Sequence, residues 1–190
     1  MDDKKKLIIN IAENFFAHFG LKKTTMDEIA KKARMGKSTL YYYFSSKEAI
    51  FSEVIKRESL TLRNKIIEEV DNANSPQEKL SLYVITRMKF LRKLSNYYTA
   101  LVDEYLDNYT FIENERASFN DFEVSMINSI LRDGCNQGIF SVEDTQKTTD
   151  AILLALKGLE IPLIIEKEKS QLDDILYVMT NLLFKGIEKR

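Results

Sequence analysis

The stretch from Thr24 to Ala49, TTMDEIAKKARMGKSTLYYYFSSKEA, constrains this chain more than any other. It reads as a helix, a tight break, a second short helix and the start of a third. Thr25 is placed to cap the first helix, because its hydroxyl can accept the free N–H of Glu28 while the Glu28 carboxylate reaches back, a capping box. Asp27 and Glu28 also lie at the positive end of that helix dipole. Ile29, Ala30 and Ala33 fall on one face at helical spacing, and Leu40 and Phe44 do the same on the second helix. Between them, Arg34-Met35-Gly36 has the length that joins the helices of a helix-turn-helix.

The second helix displays Lys37, Ser38, Thr39, Tyr41, Tyr42 and Tyr43. Small hydroxyls near a helix N-terminus can approach base edges, and lysine and tyrosine can reach guanine edges or phosphate oxygens. Three consecutive tyrosines cannot all face one core, so at least one ring is expected in solvent. The formal charge of the chain is −1, but it is divided unevenly. Residues 1–57 hold 12 Lys/Arg against 7 Asp/Glu, or +5, and residues 58–190 hold 16 against 22, or −6. The positive field therefore coincides with the helix-turn-helix, as a phosphate-seeking surface requires. A solvated helix face can produce some of that asymmetry, but its overlap with the helix-turn-helix makes the functional reading the stronger one.

These residues carry a family likeness. The segment resembles the DNA-binding region of TetR-type (tetracycline repressor-like) transcriptional regulators, matching their pattern at Thr25, Ile29, Ala30, Ala33, Leu40, Tyr41, Tyr43, Phe44, Lys47 and Glu48. The close resemblance covers about residues 4–55, and the remainder shares the helical layout. Two positions depart from the pattern. The family's turn glycine is Arg34 here, and a non-glycine residue in a left-handed turn costs about 1 kcal/mol. The usual capping serine is Gly36, a weaker N-cap that is expected to absorb part of the strain.

The rest of the chain reads as all-α, about nine helices in total: 190 residues hold only two prolines and six glycines, widely separated. The expected division is a helix-turn-helix domain at residues 1–46 and a helical ligand-binding and dimerisation domain at 47–190. The first helix should run from about Lys4 to Phe19, bury Leu7, Ile8, Ile11, Ala12, Phe15, Phe16 and Phe19, and stop at Gly20. Lys47 opens the fourth helix with a charge that opposes the dipole, which a nearby phosphate would explain. Ser75-Pro76-Gln77-Glu78 is a strong helix start. Gly134 and Gly138 should close a long helix begun near Ile112, and Pro162 should kink or end the next.

Chemistry other than binding is poorly supplied. His18 and Cys135 are the single histidine and cysteine, so there is no Cys-His ligand cluster, and no Gly-rich phosphate loop is present. The carboxylates Glu113, Glu115, Asp121 and Glu123 are spread around a helix. Asp103, Glu104 and Asp107 share a face but lack a histidine, so no enzyme, metal or cofactor is expected. No apolar run approaches the ~18–20 residues that span a bilayer. The lone cysteine and the lack of a secretory cleavage site fit a cytoplasmic protein.

Aromatic and methionine side chains gather in the middle of the chain: Tyr83, Met88, Phe90, Tyr98, Tyr105, Phe119, Phe122 and Met126. They can be bundle core or the lining of a mostly apolar pocket. Toward the C-terminus, Ala151, Leu154, Ala155, Gly158 and Leu159 on one helix, and Leu172, Ile175, Leu176, Met179 and Leu183 on the last, form surfaces apolar enough to need a partner. The resemblance implies that this pair packs against its twin in a homodimer. It further implies a repressor that holds a near-palindromic operator through Thr25, Lys37, Ser38, Thr39, Tyr41, Tyr42, Tyr43 and Lys47. A small, largely apolar effector in the C-terminal bundle would shift the fourth helix and release the DNA. The alternative keeps the fold without the small-molecule switch, acting architecturally or through a protein partner.

Overall fold

The computed structural model describes residues 3–97, 104–165 and 172–189. Among them the chain forms nine helices: α1 (Asp3–Lys23), α2 (Met26–Lys32), α3 (Lys37–Tyr43), α4 (Lys47–Asp71), α5 (Pro76–Tyr97), α6 (Tyr105–Glu115), α7 (Ala117–Asn136), α8 (Thr145–Ile165) and α9 (Leu172–Ile187). The fold is all-α, and an isolated antiparallel bridge joins Phe140 to Glu188.

Two compact units emerge from the packing. One comprises Met1–Leu60 with Leu94–Ala117, the other Thr61–Lys93 with Ser118–Arg190. The expected boundary at 46/47 thus falls inside the first unit. Helix α4 supplies Ile50, Phe51, Val54 and Ile55 to the core beneath the helix-turn-helix, so the packing changes partway along a continuous helix.

The first unit is closed by α1, whose Ile8, Ile9, Ala12, Phe16 and Ala17 meet Ile29 and Ala30 of α2, Leu40 of α3 and the start of α4. Phe16 meets Phe51 edge-on with centroids 5.2 Å apart, and Phe51 stacks on Phe111 of α6 at 6.0 Å. The buried stripe of α1 is rotated from the expected one: Leu7 and Phe19 are exposed, and Ile9 and Ala17 are buried in their place. Helix formation breaks at Gly20 as expected, but one further turn follows the break and carries α1 to Lys23.

In the second unit, Leu62, Ile66 and Val70 of α4, Leu80, Val84 and Leu91 of α5, Ile127, Ile130 and Leu131 of α7, Ile152 and Leu156 of α8, and Ile187 of α9 share one core. Asp144 opens α8 by accepting the N–H groups of Gln146 and Lys147, both at 3.0 Å. These bonds hold its carboxyl below the usual range. Helix α8 does not end at Pro162 but continues to Ile165.

Gly134 does not close α7. It lies inside the helix, and Gly138, at φ +69°, provides the left-handed exit. What Gly134 provides is space: a Cβ there would lie 2.0 Å from the Phe140 ring. Gly134→Ala is therefore expected to destabilise the protein by about 1–3 kcal/mol through overpacking. A fall in the urea midpoint at constant slope would report it, and an unchanged midpoint would mean that Phe140 has room to move.

Candidate nucleic-acid interface

The helix-turn-helix is assembled by local bonds. The Glu28 N–H donates to Thr25 Oγ1 at 3.3 Å, and the Thr25 N–H donates to Glu28 Oε2 at 3.0 Å, completing the expected capping box. At the other end of α2, the Met35 N–H reaches the Ala30 carbonyl and the Arg34 N–H the Lys31 carbonyl, both at 3.1 Å. That pair of bonds is a Schellman motif, and it requires a left-handed residue between them. Arg34 fills that place with φ 53°. Gly36, expected to absorb part of the strain, sits at an ordinary φ of −66°, so the turn places the positive φ on the arginine.

Helix α3 turns Leu40 inward, with Phe44 buried just after it, and leaves Lys37, Ser38, Tyr41 and Tyr42 exposed and Thr39 and Tyr43 half-buried. Tyr42 is the most open ring, at 82% exposure, and it meets Tyr43 edge-on at 5.2 Å. The Lys37 ammonium pairs with Asp27 at 2.8 Å, which raises its pKa through the hydrogen bond first and the charge second. This pair is solvent-exposed and can open at little cost.

The positions of Thr25 and Lys47 differ in kind from the rest of the set. The Thr25 hydroxyl is occupied by Glu28, donating to Oε2 at 2.6 Å. The Lys47 ammonium donates to the carbonyls of Leu21, Lys22 and Thr24 at 2.7, 3.0 and 3.1 Å. The three acceptors match the three donors of an ammonium. A phosphate is therefore not needed to explain a lysine at this helix start; the carbonyls left open after the Gly20 break account for it. The N–H side of the same break is held by Glu104, whose Oε2 accepts from Leu21 at 2.9 Å and from Lys22 at 3.2 Å. Sequence spacing did not reveal this role for Glu104, which lies 83 residues from Leu21.

The candidate effector residues sit in the core of the second unit. Tyr83, Met88 and Phe119 are buried there, and Phe90, Phe122 and Met126 are partly buried against it. Tyr98 lies outside the described residues, and the side chain of Tyr105 outside the described side chains. A polar surface groove of about 400 Å³, lined by residues including Ser125, Asn128, Arg132 and Gln146, contains none of them.

The sequence reading also missed a charged group within that core. Glu123 Oε1 accepts from both the Tyr83 hydroxyl and Arg87 Nε at 2.5 Å, and Arg87 Nη2 pairs with Glu160. All four side chains are buried. Burial, followed by the Glu123 charge, raises the Tyr83 hydroxyl well above its usual pKa. Burial works against the Arg87 charge, but the two carboxylates outweigh it and raise the guanidinium further. The available signal was register: Phe119, Glu123 and Ile127 follow one another at helical spacing on the buried face of α7.

On the candidate dimer surfaces, Ala151, Leu154, Ala155 and Gly158 of α8 are exposed, Leu154 at 74%, while Leu159 is half-buried. Ile175 of α9 is exposed, joined by Val178 and Leu182, which were not in the expected set. Leu176 is a correction, because it points into the core of its own chain, and Met179 and Leu183 pack partly against that core. The Leu172 side chain lies outside the described ones.

Comparison with known proteins agrees with this arrangement. Residues 8–54 match the family model for bacterial regulatory proteins of the tetR family. Over 74 residues the chain is 42% identical to YhgD, an HTH-type transcriptional regulator of Bacillus subtilis; the match spans 39% of this chain and 37% of that protein, well under two thirds of the relative's length. A transcriptional regulator from Cytophaga hutchinsonii, solved by crystallography, is 28% identical with a TM-score of 0.78, covering 99% of this chain and 100% of that one. The FadR regulator from Bacillus subtilis, crystallised with stearoyl-CoA, shares the fold at 20% identity and a TM-score of 0.77, over 96% and 99% of the two chains.

Replacing Lys47 by methionine removes the cap from three carbonyls while keeping the stem. We expect a stability loss of ~1–2 kcal/mol, the range for a lost cap or charge-assisted bond. The exposed Lys32→Met should stay within about 0.5 kcal/mol of the parent protein. Equal stability of the two variants in urea would show that water replaces the ammonium without loss.

Proposed function

We propose, taking residues 8–54 as the DNA-binding module of a tetR-family bacterial regulator, that this chain is a cytoplasmic, ligand-responsive repressor acting as a homodimer. The observation that carries the reading is α3. It is anchored by Leu40 and followed by the buried Phe44, while it leaves Lys37, Ser38, Tyr41 and Tyr42 in solvent with Thr39 at their margin. Two such helices entering successive major grooves about 34–36 Å apart would read a near-palindromic operator. Lys37, Ser38, Thr39 and Tyr41 stand nearest base edges, and Tyr42 and Tyr43 hold phosphates. Thr25 and Lys47 support the module from behind by capping it. The dimer forms through Ala151, Leu154, Ala155 and Gly158 of α8 with Ile175, Val178 and Leu182 of α9, where Gly158 has open space above its backbone.

An effector in the second unit acts on the reading helices by two routes in this proposal, one along a continuous helix and one through hydrogen bonds. Helix α4 is continuous from the helix-turn-helix into the second unit. The Glu104 carboxylate, at the start of α6, grips the break in α1, so movement of α6 would be felt at the base of α2. Effector binding thereby favours a dimer whose half-site spacing fits the operator poorly.

Selection of bound duplexes from a random DNA pool tests the reading. A palindrome with half-sites about one helical turn apart is expected. Recovery of no preferred sequence from a folded dimer would favour an architectural or partner-binding role. On the selected operator, Thr39→Ala should change the preference among sequence variants. A uniform loss across all of them would make Thr39 a backbone contact.

A further inference from the structure

The core of the second unit contains more hydrogen-bonding capacity than its own side chains use. Tyr83 and Arg87 both donate to one oxygen of Glu123, which leaves Glu123 Oε2 buried without a partner among the described residues. Arg87 bonds through Nε and Nη2, and its Nη1 is buried and likewise unpartnered. Asn120, one helical turn before Glu123 on α7, adds a third such atom, Oδ1. Residues three apart on a helix share a face, so Asn120 and Glu123 are neighbours on α7.

Such atoms are costly: an unpaired buried polar atom loses its water without replacement, and a charged one loses more. Native interiors leave few of them, so each calls for a partner, and one bound molecule can supply all three. The kind of atom left open narrows the chemistry. Two of the three, Glu123 Oε2 and Asn120 Oδ1, are acceptors, and one, Arg87 Nη1, is a donor. A group rich in N–H donors answers the pair, whereas an anion brings acceptors alone. Among the described residues no cluster of three or more histidine, cysteine or acidic side chains could hold a metal ion.

We infer that this group is the polar end of an effector site, and that it takes an organic cation whose N–H donors meet Glu123 Oε2 and Asn120 Oδ1. An acceptor on the same molecule meets Arg87 Nη1. Tyr83, Met88 and Phe119, buried in the same core, suit an aromatic or apolar body. The inference rests on reading the second unit as the effector-binding unit, and it replaces a largely apolar effector with a cationic one.

A charge series of one shape tests it: para-hydroxybenzamidinium, para-hydroxybenzamide and para-hydroxybenzoate, titrated calorimetrically into the full chain at millimolar concentration. The cation is expected to bind, the neutral amide at least ~10-fold more weakly, and the anion not at all, since hydrogen bonds to charged groups contribute about 1.5–3 kcal/mol. Glu123→Gln should cost the cation ~10–100-fold and remove its advantage over the amide. Asn120→Leu, at a half-buried position, gives a second variant with a smaller loss, in case Glu123→Gln fails to fold. Absence of heat with the cation, equal or tighter binding of the amide or the anion, or a cation preference that survives in both variants would overturn the assignment. Operator selection on the same wild-type preparation separates the two readings. Specific DNA binding without cation binding defeats only the site, and cation binding without DNA preference defeats only the regulator.

Discussion

The break in α1 at Gly20 governs the first unit. With φ +80° and ψ 168° this residue takes a conformation open to glycine, and its exit leaves N–H groups on one side and carbonyls on the other without helical partners. The two sets are met by opposite charges. The Glu104 carboxylate receives the N–H groups of Leu21 and Lys22, and the Lys47 ammonium serves the carbonyls of Leu21, Lys22 and Thr24. An anion at the N-terminal side and a cation at the C-terminal side follow the dipole of the short turn between them. A Cβ on Gly20 would also approach Glu104 Oε1 to 2.7 Å, so the glycine is required both for its backbone angle and for the carboxylate's access. Through this single corner α1, α4 and α6 are fixed to the entrance of α2, and the orientation of α3 follows.

Elements whose causes are local were legible in the sequence. The Thr25–Glu28 capping box depends on four consecutive residues, and Leu40 with Phe44 depends on one helical turn. The left-handed Arg34 could be read from its place after α2, although the share of strain assigned to Gly36 could not be, because backbone angles on either side of a turn are set by the bonds it closes. On α8, Leu154 and Gly158 lie on the exposed side of the helix.

What escaped depends on packing at long range. Adjacent positions on a helix differ by ~100°, so a broad apolar stripe has two plausible centres, and the choice between Phe19 and Ala17 is made by the elements packed against α1. Leu176 was misassigned for the same reason: α9 is apolar on much of its surface, and only its packing tells the inward row from the outward one. Glu123 and Arg87 look like surface charges when taken singly. Each becomes a core residue only once the other is known to face it, and no spacing rule links positions 36 residues apart. Buried ion pairs of this kind are weak sources of stability, since desolvation offsets most of the attraction.

The exposed pair between Lys37 and Asp27 has a consequence for how the protein meets a polyanion. A lysine that is unpaired in solution and comes to lie beside a duplex simply liberates a small cation condensed there. Lys37 must first relinquish a carboxylate, and Asp27, then left alone beside the duplex, gathers a sodium or potassium ion of its own. With α3 against a duplex as proposed, the net number of counterions set free would fall below the number of cationic side chains brought to it, and the entropy released into the solvent would be smaller by that difference.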